Sequence, residues 1–149
     1  MKKITLKTTL ILFASVLLFL SGCGSKSDPA PAAETDAVKN TKLLTASTWN
    51  IQTVQVDGVD KTTVYKNLKL TFTSTGFTSI GGGSVWPTTG TWKFTDDTGK
   101  VITRGDGLAI NVNEISTTKL VVSLAWSKTT LGGGRIESIA GSHVFTFGR

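Results

Sequence analysis

The chain has few of the residues that build covalent, metal or proton-transfer sites. Its 149 residues include one cysteine and one histidine. A disulfide needs two cysteines, and a zinc site or a Ser-His-Asp triad needs partners around its histidine. We therefore expect stability to come from packing, with no cofactor, no metal site and no catalytic residues.

The net positive charge of residues 23–149 is also lower than that of the whole chain. The formal net charge is +6, but three lysines and no acidic residue lie in residues 1–22. Without that segment 13 basic side chains stand against 10 acidic ones, a net charge of +3. No basic cluster with interleaved aromatic residues is present, so we expect no nucleic-acid partner.

The long apolar run of the chain lies near its N-terminus. Residues 10–20 are apolar apart from Ser15, and Lys2, Lys3 and Lys7 precede them. This pattern is typical of a secretory signal peptide, and the run is shorter than the roughly 20 residues that a membrane-spanning helix needs. The sequence therefore predicts a signal peptide over residues 1–22.

The one cysteine stands directly after this run. Residues 20–23, Leu-Ser-Gly-Cys, resemble the lipobox of bacterial lipoproteins, in which the cysteine is lipidated and becomes the new N-terminus. The resemblance implies that Cys23 carries acyl chains such as palmitate, and two or three chains anchor a protein stably. Gly24, with no aspartate there, resembles lipoproteins of the outer membrane. The expected location is the bacterial outer membrane, on its periplasmic or cell-surface face.

A lipidated cysteine and a flexible linker are predicted over residues 23–40. The linker has small and polar residues, two prolines and no large apolar side chain before Val38. It can bury too little apolar surface to fold. Residues 41–149 have the size of one domain with a single core.

This domain has the composition of a β-protein, rich in threonine, valine, isoleucine and aromatic residues. Alternating apolar residues between turn signals predict eight strands, and only residues 41–47 are typical of a short helix or turn. The predicted strands are residues 48–56, 68–74, 77–80, 89–95, 100–104, 108–112, 119–126 and 142–148.

Eight antiparallel strands lose their exposed edges most simply by closing into a barrel. The sequence therefore predicts an all-β, eight-stranded antiparallel up-and-down barrel, just wide enough to be filled by side chains or to hold one small ligand. Its interior is expected to be apolar. The predicted inward-facing residues are Trp49, Ile51, Leu68, Leu70, Phe72, Trp92, Phe94, Leu108, Ile110, Val112, Leu120, Val122, Leu124, Phe145 and Phe147.

Loop lengths predict two unlike barrel ends, because alternate loops of an up-and-down barrel lie at the same end. One end, which we call the loop end, has the loops 57–67, 81–88, 105–107 and 127–141, and two of them contain Gly-Gly-Gly. The other, the closed end, has the short loops 75–76, 96–99 and 113–118. We expect the loop end to be open.

Two short motifs make the domain similar to a known group. Residues 44–49 read L-T-A-S-T-W and residues 90–94 read G-T-W-K-F. With the lipobox and linker, they resemble the lipocalin-like lipoproteins of Bacteroidetes-type bacteria. The resemblance implies a lipocalin-like barrel. True lipocalins have glycine where this chain has Ser47 and an arginine packed over the first tryptophan, which only Arg149 could supply here.

Aromatic and charged residues in or beside the long loops are candidates for ligand binding. Large aromatic side chains at a loop end often form surfaces for apolar ligands, although they can also cap a barrel as core residues. The candidates are Tyr65, Trp86, Trp126, Arg135 and His143.

The sequence thus predicts a membrane-anchored lipoprotein that binds a small apolar molecule or lipid at the loop end. The alternative is a non-enzymatic envelope accessory protein whose loops bind another protein, because a lipid tether raises the effective concentration of neighbours. An enzyme is not expected, because the chain has no Gly-x-Ser-x-Gly elbow and its acidic pairs lie in turns.

Overall fold

The computed structural model describes residues 33–132 and 135–149. Cys23 and most of the predicted linker lie outside this part of the chain. The elements are α1 (Asp36–Thr45), β1 (Trp49–Val56), β2 (Val59–Asp60), β3 (Lys69–Phe72), β4 (Gly76–Ile80), β5 (Thr89–Phe94), β6 (Val101–Arg104), β7 (Ala109–Ile115), β8 (Lys119–Trp126), β9 (Thr130–Gly132), β10 (Arg135–Ser138) and β11 (Gly141–Gly148).

Eight strands form a closed antiparallel barrel in which each strand pairs with the next one in sequence. They are β1, β3, β4, β5, β6, β7, β8 and β11, and the pairing of β11 with β1 closes the ring. The predicted up-and-down, lipocalin-like barrel is therefore confirmed, with each of its eight strands present. Sequence patterning missed β2, which extends the sheet beside β1, and the β9–β10 hairpin; both lie in long loops of the loop end.

A β-bulge in β1 changes which of its residues face the core. The register against β11 shifts between Ile51 and Thr53, so two β1 residues oppose one residue of the partner. The alternation restarts after the bulge, and Val54 and Val56 are buried whereas Ile51 is only half-buried. A strict period of two from Trp49 could not predict this change.

Aromatic side chains fill most of the barrel interior. Trp49, Tyr65, Trp86, Phe145 and Phe147 are among the largest fully buried side chains. Four polar side chains, those of Ser79, Arg104, Ser138 and His143, are also buried. The predicted apolar interior is therefore wrong in this respect, and these polar groups need partners inside the fold.

Helix α1 begins inside the segment predicted to be a flexible linker. Thr35 is its N-cap, and the Thr35 hydroxyl accepts a hydrogen bond from the Val38 N–H. The Ala37 N–H donates to the Asp97 carbonyl at 3.1 Å, and the Asn40 amide donates to the Gly99 carbonyl at 3.2 Å. Polar contacts with the β5–β6 turn thus hold the first turns of α1, and a composition argument based on apolar burial could not detect them.

The C-terminal residue joins α1 to the barrel at the closed end. The Trp49 indole N–H donates to the Leu44 carbonyl at 3.0 Å, and the Arg149 guanidinium lies 4.3 Å from the centroid of the Trp49 ring. Arg149 also donates to the Leu43 carbonyl. Arg149 therefore packs over the first tryptophan of the barrel, the position at which true lipocalins have an arginine.

Candidate functional site at the loop end

The loop of residues 81–88 turns inward and places Trp86 inside the barrel. The Ser79 hydroxyl fixes the loop by donating to the Trp86 carbonyl at 2.7 Å. The Trp86 ring makes edge-to-face contacts with Phe77 and Phe145, with centroid distances of 5.8 and 5.9 Å. Trp86 is thus a core residue that fills the barrel mouth.

An ion pair between buried Arg104 and half-exposed Asp106 ties the β6–β7 turn to this loop. Arg104 Nε and Nη2 donate to the two carboxylate oxygens of Asp106 at 2.9 and 2.6 Å, and Nη1 donates to the Val85 carbonyl. The Arg104 guanidinium also lies 5.9 Å from the centroid of the Trp86 ring. Its hydrogen bonds to Asp106 lower the pKa of that carboxyl from 3.8 to about 2. Arg104 therefore has both a charged partner and an aromatic neighbour.

Tyr65 and His143 form a second buried polar pair. His143 Nδ1 lies 3.1 Å from the Gly141 carbonyl oxygen, which can only accept, so this nitrogen carries the proton. Nε2 then accepts from the Tyr65 hydroxyl at 3.0 Å, and the Tyr65 oxygen accepts from the Ile139 N–H at 3.4 Å. Burial lowers the pKa of His143, an effect that the Gly141 carbonyl and Asp57 partly oppose. Burial also raises the pKa of Tyr65.

Described residues of the longest loop and of the strand after it form hydrogen bonds with neighbouring loops. Thr130, in β9, shares hydrogen bonds with the Ser84 hydroxyl at 3.1 Å and with the buried Ser138 hydroxyl at 2.5 Å. The Ser142 N–H donates to Asp57 Oδ1 at 2.9 Å. These bonds join connections of the loop end to one another, and the open mouth stays a prediction.

Three clefts surround the β6–β7 turn on the outer surface of the described part of the chain. The largest has a volume of about 630 Å³, and we call it the Trp126 cleft. Two smaller ones, of about 230 and 400 Å³, lie between β5 and the Arg104-Gly105 segment. The Trp126 cleft is lined by Asp106, Gly107, Leu108, Ala125, Trp126, Ser127, Lys128 and Gly141.

The Trp126 cleft combines an apolar wall with charged groups. Leu108, Ala125 and Trp126 supply the apolar side chains, and Asp106 and Lys128 supply opposite charges. The Trp126 indole nitrogen is buried and has no hydrogen-bond partner among the described residues. Packing alone therefore sets the orientation of this ring.

The five predicted ligand-binding residues do not form one site. Tyr65, Trp86 and His143 are buried in the barrel, where they contact core residues and one another. Trp126 lines the cleft that bears its name. Arg135 belongs to β10, and its side chain lies outside the described part.

Sequence reasoning missed three other contributors to the cleft, Leu108, Ala125 and Lys128. They come from two segments that are far apart in sequence and become neighbours through the pairing of β7 with β8. The period of its strand predicts that Leu108 faces the core. Leu108 is half-buried, packs against the core and also lines the cleft, and this second contact depends on tertiary structure.

The described residues contain no group of three or more histidine, cysteine, aspartate or glutamate side chains that could hold a metal ion. Within the same ranges, no helix has the length and apolar character needed to cross a membrane.

Substituting Asp106 with asparagine should reduce stability in a pH-dependent way. The folded-state pKa of Asp106 lies below its unfolded value of 3.8, so the stabilisation is present above pH 3.8 and is lost as the pH falls toward about 2. Because solvent screens this half-exposed carboxylate, we expect a loss of about 1 kcal/mol in unfolding free energy at pH 7. Denaturant unfolding at pH 7 and between pH 4 and 2 measures both effects. Asp97→Asn, in an exposed turn, is the control; an equal loss there would contradict a specific role for the pair.

Comparisons of the chain with protein-family models, with curated proteins and with solved structures give no match. The lipocalin-like lipoprotein family therefore stays a prediction, and function must be inferred from the loop end and the N-terminal motif.

Proposed function

We propose that this protein is a non-enzymatic, lipid-anchored protein of the bacterial outer membrane that binds a small apolar molecule or lipid in the Trp126 cleft. The supporting observation is a loop-end cleft of about 630 Å³ whose wall includes Trp126, Leu108 and Ala125. Small-molecule sites commonly have volumes of about 300–1,000 Å³ and mostly apolar walls with a few polar groups.

The outer cleft is a better site than the barrel interior. A ligand inside the barrel would have to displace Trp86 or Tyr65, which are almost completely buried. Exposing one large apolar side chain costs about 1.5–3 kcal/mol, and the buried Tyr65–His143 hydrogen bond would also be lost. The cleft needs no such displacement.

The cleft also favours a particular ligand chemistry. The Trp126 side chain can contact a flat or aliphatic body, and Leu108 and Ala125 extend the same apolar surface. Lys128 can bind a carboxylate, a phosphate or a polar head group, because Asp106 already has Arg104 as its partner. An apolar molecule with one anionic or polar group fits best.

Filling the cleft should abolish ligand binding without affecting the core. Ala125 is exposed on β8 and lines the cleft, so Ala125→Leu places a larger side chain in the ligand volume. Native mass spectrometry of residues 33–149, purified from an extract of their own envelope, should detect a retained small molecule. Ala125→Leu should weaken its binding by about tenfold or more, equivalent to about 1.4 kcal/mol.

Ala109→Leu is the matched control, because Ala109 is an equally exposed alanine on β7 that does not line this cleft. Retention of a molecule by the wild type and by Ala109→Leu alone supports the proposal. No retained molecule, or the same retention in both variants, contradicts it.

The proposed anchor is Cys23, and the geometry of α1 supports it. The N-terminus of α1 contacts the β5–β6 turn at the closed end, through Ala37 and Asp97. A membrane tether that joins the domain there would leave the loop end and its cleft accessible.

Cys23→Ser should abolish lipid attachment, because serine lacks the thiol that accepts the acyl group. Labelled palmitate incorporation and the mass of the chain in membrane extracts measure this change. Ser21→Ala is the control, because it keeps a small side chain before the cysteine. Palmitate on Cys23→Ser, or none on the wild type, would contradict the proposed anchor.

A second candidate function is binding of another envelope protein by the loop end. Val59, Ile80 and Leu131 are 55%, 66% and 73% exposed, and all three lie in or beside the loops of this end. Exposed apolar side chains at one end of a domain are typical of protein contact sites. Val38, 45% exposed, lies on α1 at the opposite end.

Site-specific photo-crosslinking in intact cells separates this candidate from ligand binding. A crosslinkable residue in place of Ile80 or Leu131 should give one discrete crosslinked protein, because these side chains would lie in the interface. The same substitution at Val38 is the control and should not give this product. The absence of a product at the loop end, or an identical product at Val38, would exclude the candidate.

A further inference from the structure

A short connection crosses the barrel mouth between β10 and β11. We call residues 138–141 the strap. The Ser138 side chain is buried, and Ile139 packs against the core. A Cβ atom at Gly141 would lie 2.5 Å from Asp57 Oδ2, and Gly141 has a φ of +141°, so glycine suits this close approach of the strap to the end of β1. Ile139 and Ala140 lie outside the strands, and other contacts must hold them in place.

Two of the strap's polar contacts involve Tyr65 and His143. The Ile139 N–H donates to the Tyr65 oxygen, the Tyr65 O–H donates to His143 Nε2, and the Nδ1–H donates to the Gly141 carbonyl. This hydrogen-bond chain begins and ends on the strap. Its direction is fixed, because a backbone N–H can only donate and a carbonyl can only accept.

A second proton on His143 is incompatible with this arrangement. Nε2 would become a donor, so the Tyr65 hydroxyl, 3.0 Å away, would have to rotate its hydrogen away from Nε2, and this hydrogen would lose its acceptor. The new positive charge would lie beside Phe145, whose ring is stacked on the imidazole with centroids 5.4 Å apart. A buried charge without a charged partner is costly, and access to water relieves that cost.

Few charged groups near His143 could offset the proton. Its cross-strand neighbours are Val56 on β1 and Leu124 on β8, and neither can ionise. The 57–67 loop carries Asp57, Asp60, Lys61, Tyr65 and Lys66, and of these Tyr65 contacts the His143 ring. Strap residues 138–141 contain no titratable side chain. The carboxylate of Asp57 acts on His143 through space and raises its pKa, but it already accepts from the Ser142 N–H.

We infer that Tyr65 and His143 form a proton-operated latch: with neutral His143 the strap is held against the barrel mouth, and protonation of His143 releases it. The barrel remains closed, because β11 beyond the strap pairs with β8 over residues 142–148 and with β1 over residues 143–148. Gly141 belongs to both the strap and the wall of the Trp126 cleft, so release would also alter the cleft. That last consequence rests on the proposed function, whereas the latch does not.

The direction of the pH dependence follows from linkage. Burial lowers the pKa of His143 in the latched state below the 6.5 of an exposed histidine. Latching is therefore fully favoured above pH 6.5 and weakens as the pH falls below that value. The opening equilibrium changes by about tenfold for each unit by which the two pKa values differ.

The experiment combines proton titration with amide exchange on the ligand-free domain, residues 33–149. His143 is the only histidine in the chain, so its imidazole signal in an NMR titration needs no assignment. Hydrogen exchange, corrected for the intrinsic effect of pH, should show that the Ile139 amide loses protection in step with this titration. The amides of Val122 and Phe147 in the barrel should stay protected.

Three variants make the test specific. His143→Gln can still accept from Tyr65 but cannot be protonated, so the Ile139 amide should stay protected at low pH. Tyr65→Phe removes the acceptor of the Ile139 N–H, and this amide should lose protection at every pH. Thr129→Val removes only the acceptor of the Ala140 N–H and should leave the pH dependence unchanged.

The outcomes decide the inference. Unchanged protection of Ile139 while His143 titrates would overturn it, and so would an equal pH dependence in His143→Gln. Simultaneous loss of protection at Val122 would show unfolding of the barrel and would also overturn it. If His143→Gln does not fold, Tyr65→Phe decides, because a protected Ile139 amide in that variant excludes the latch. Ligand binding is measured separately, so a failed latch and a failed ligand proposal remain distinguishable.

Discussion

The pairing of β1 with β11 is the constraint on which the rest of the structure depends. It converts an eight-stranded meander into a closed ring and satisfies the two edges that an open sheet would expose. Closure also encloses a volume that must be filled, because an empty apolar cavity forfeits packing contacts. In this chain the loop end fills part of that volume, since Tyr65 and Trp86 enter the core from connections outside the eight strands of the barrel. This filling of the interior is the reason for proposing a ligand site on the outer surface.

The buried polar groups determine how the loops lie over the mouth. Arg104 and His143 would be costly in the interior without partners. Each has its partner in a loop. The partner of Arg104 is Asp106 in the β6–β7 turn, and the partner of His143 is Tyr65 in the 57–67 loop. The two pairs therefore fix loops that strand pairing does not reach. They also differ in chemistry, because the Arg104 pair stays charged over the whole physiological range and His143 stays neutral only above the pKa that its burial sets.

The parts of the fold that could be predicted are those that a short stretch of sequence specifies by itself. A period of two between turns gave the eight strands, and the lipobox motif gave the expectation for Cys23. The bulge after Ile51, the polar docking of α1 and the inward turn of Trp86 depend on partners distant in sequence, so no local pattern contains them. The same holds for the Trp126 cleft: Trp126 was a candidate for its aromatic ring, but its neighbours are set by strand pairing.

The two ends of the barrel are held by different kinds of contact. At the closed end, Arg149 and Trp49 join α1 and both chain ends of the barrel into one packed unit, with no cleft among those described. At the loop end, hydroxyl groups, one ion pair and one imidazole hold the connections. The proposed tether at Cys23 would join the domain beside α1 and would leave the loop end facing its surroundings. The proposed ligand site and the proposed latch lie at this same end, because both require contacts that can open while the barrel remains intact.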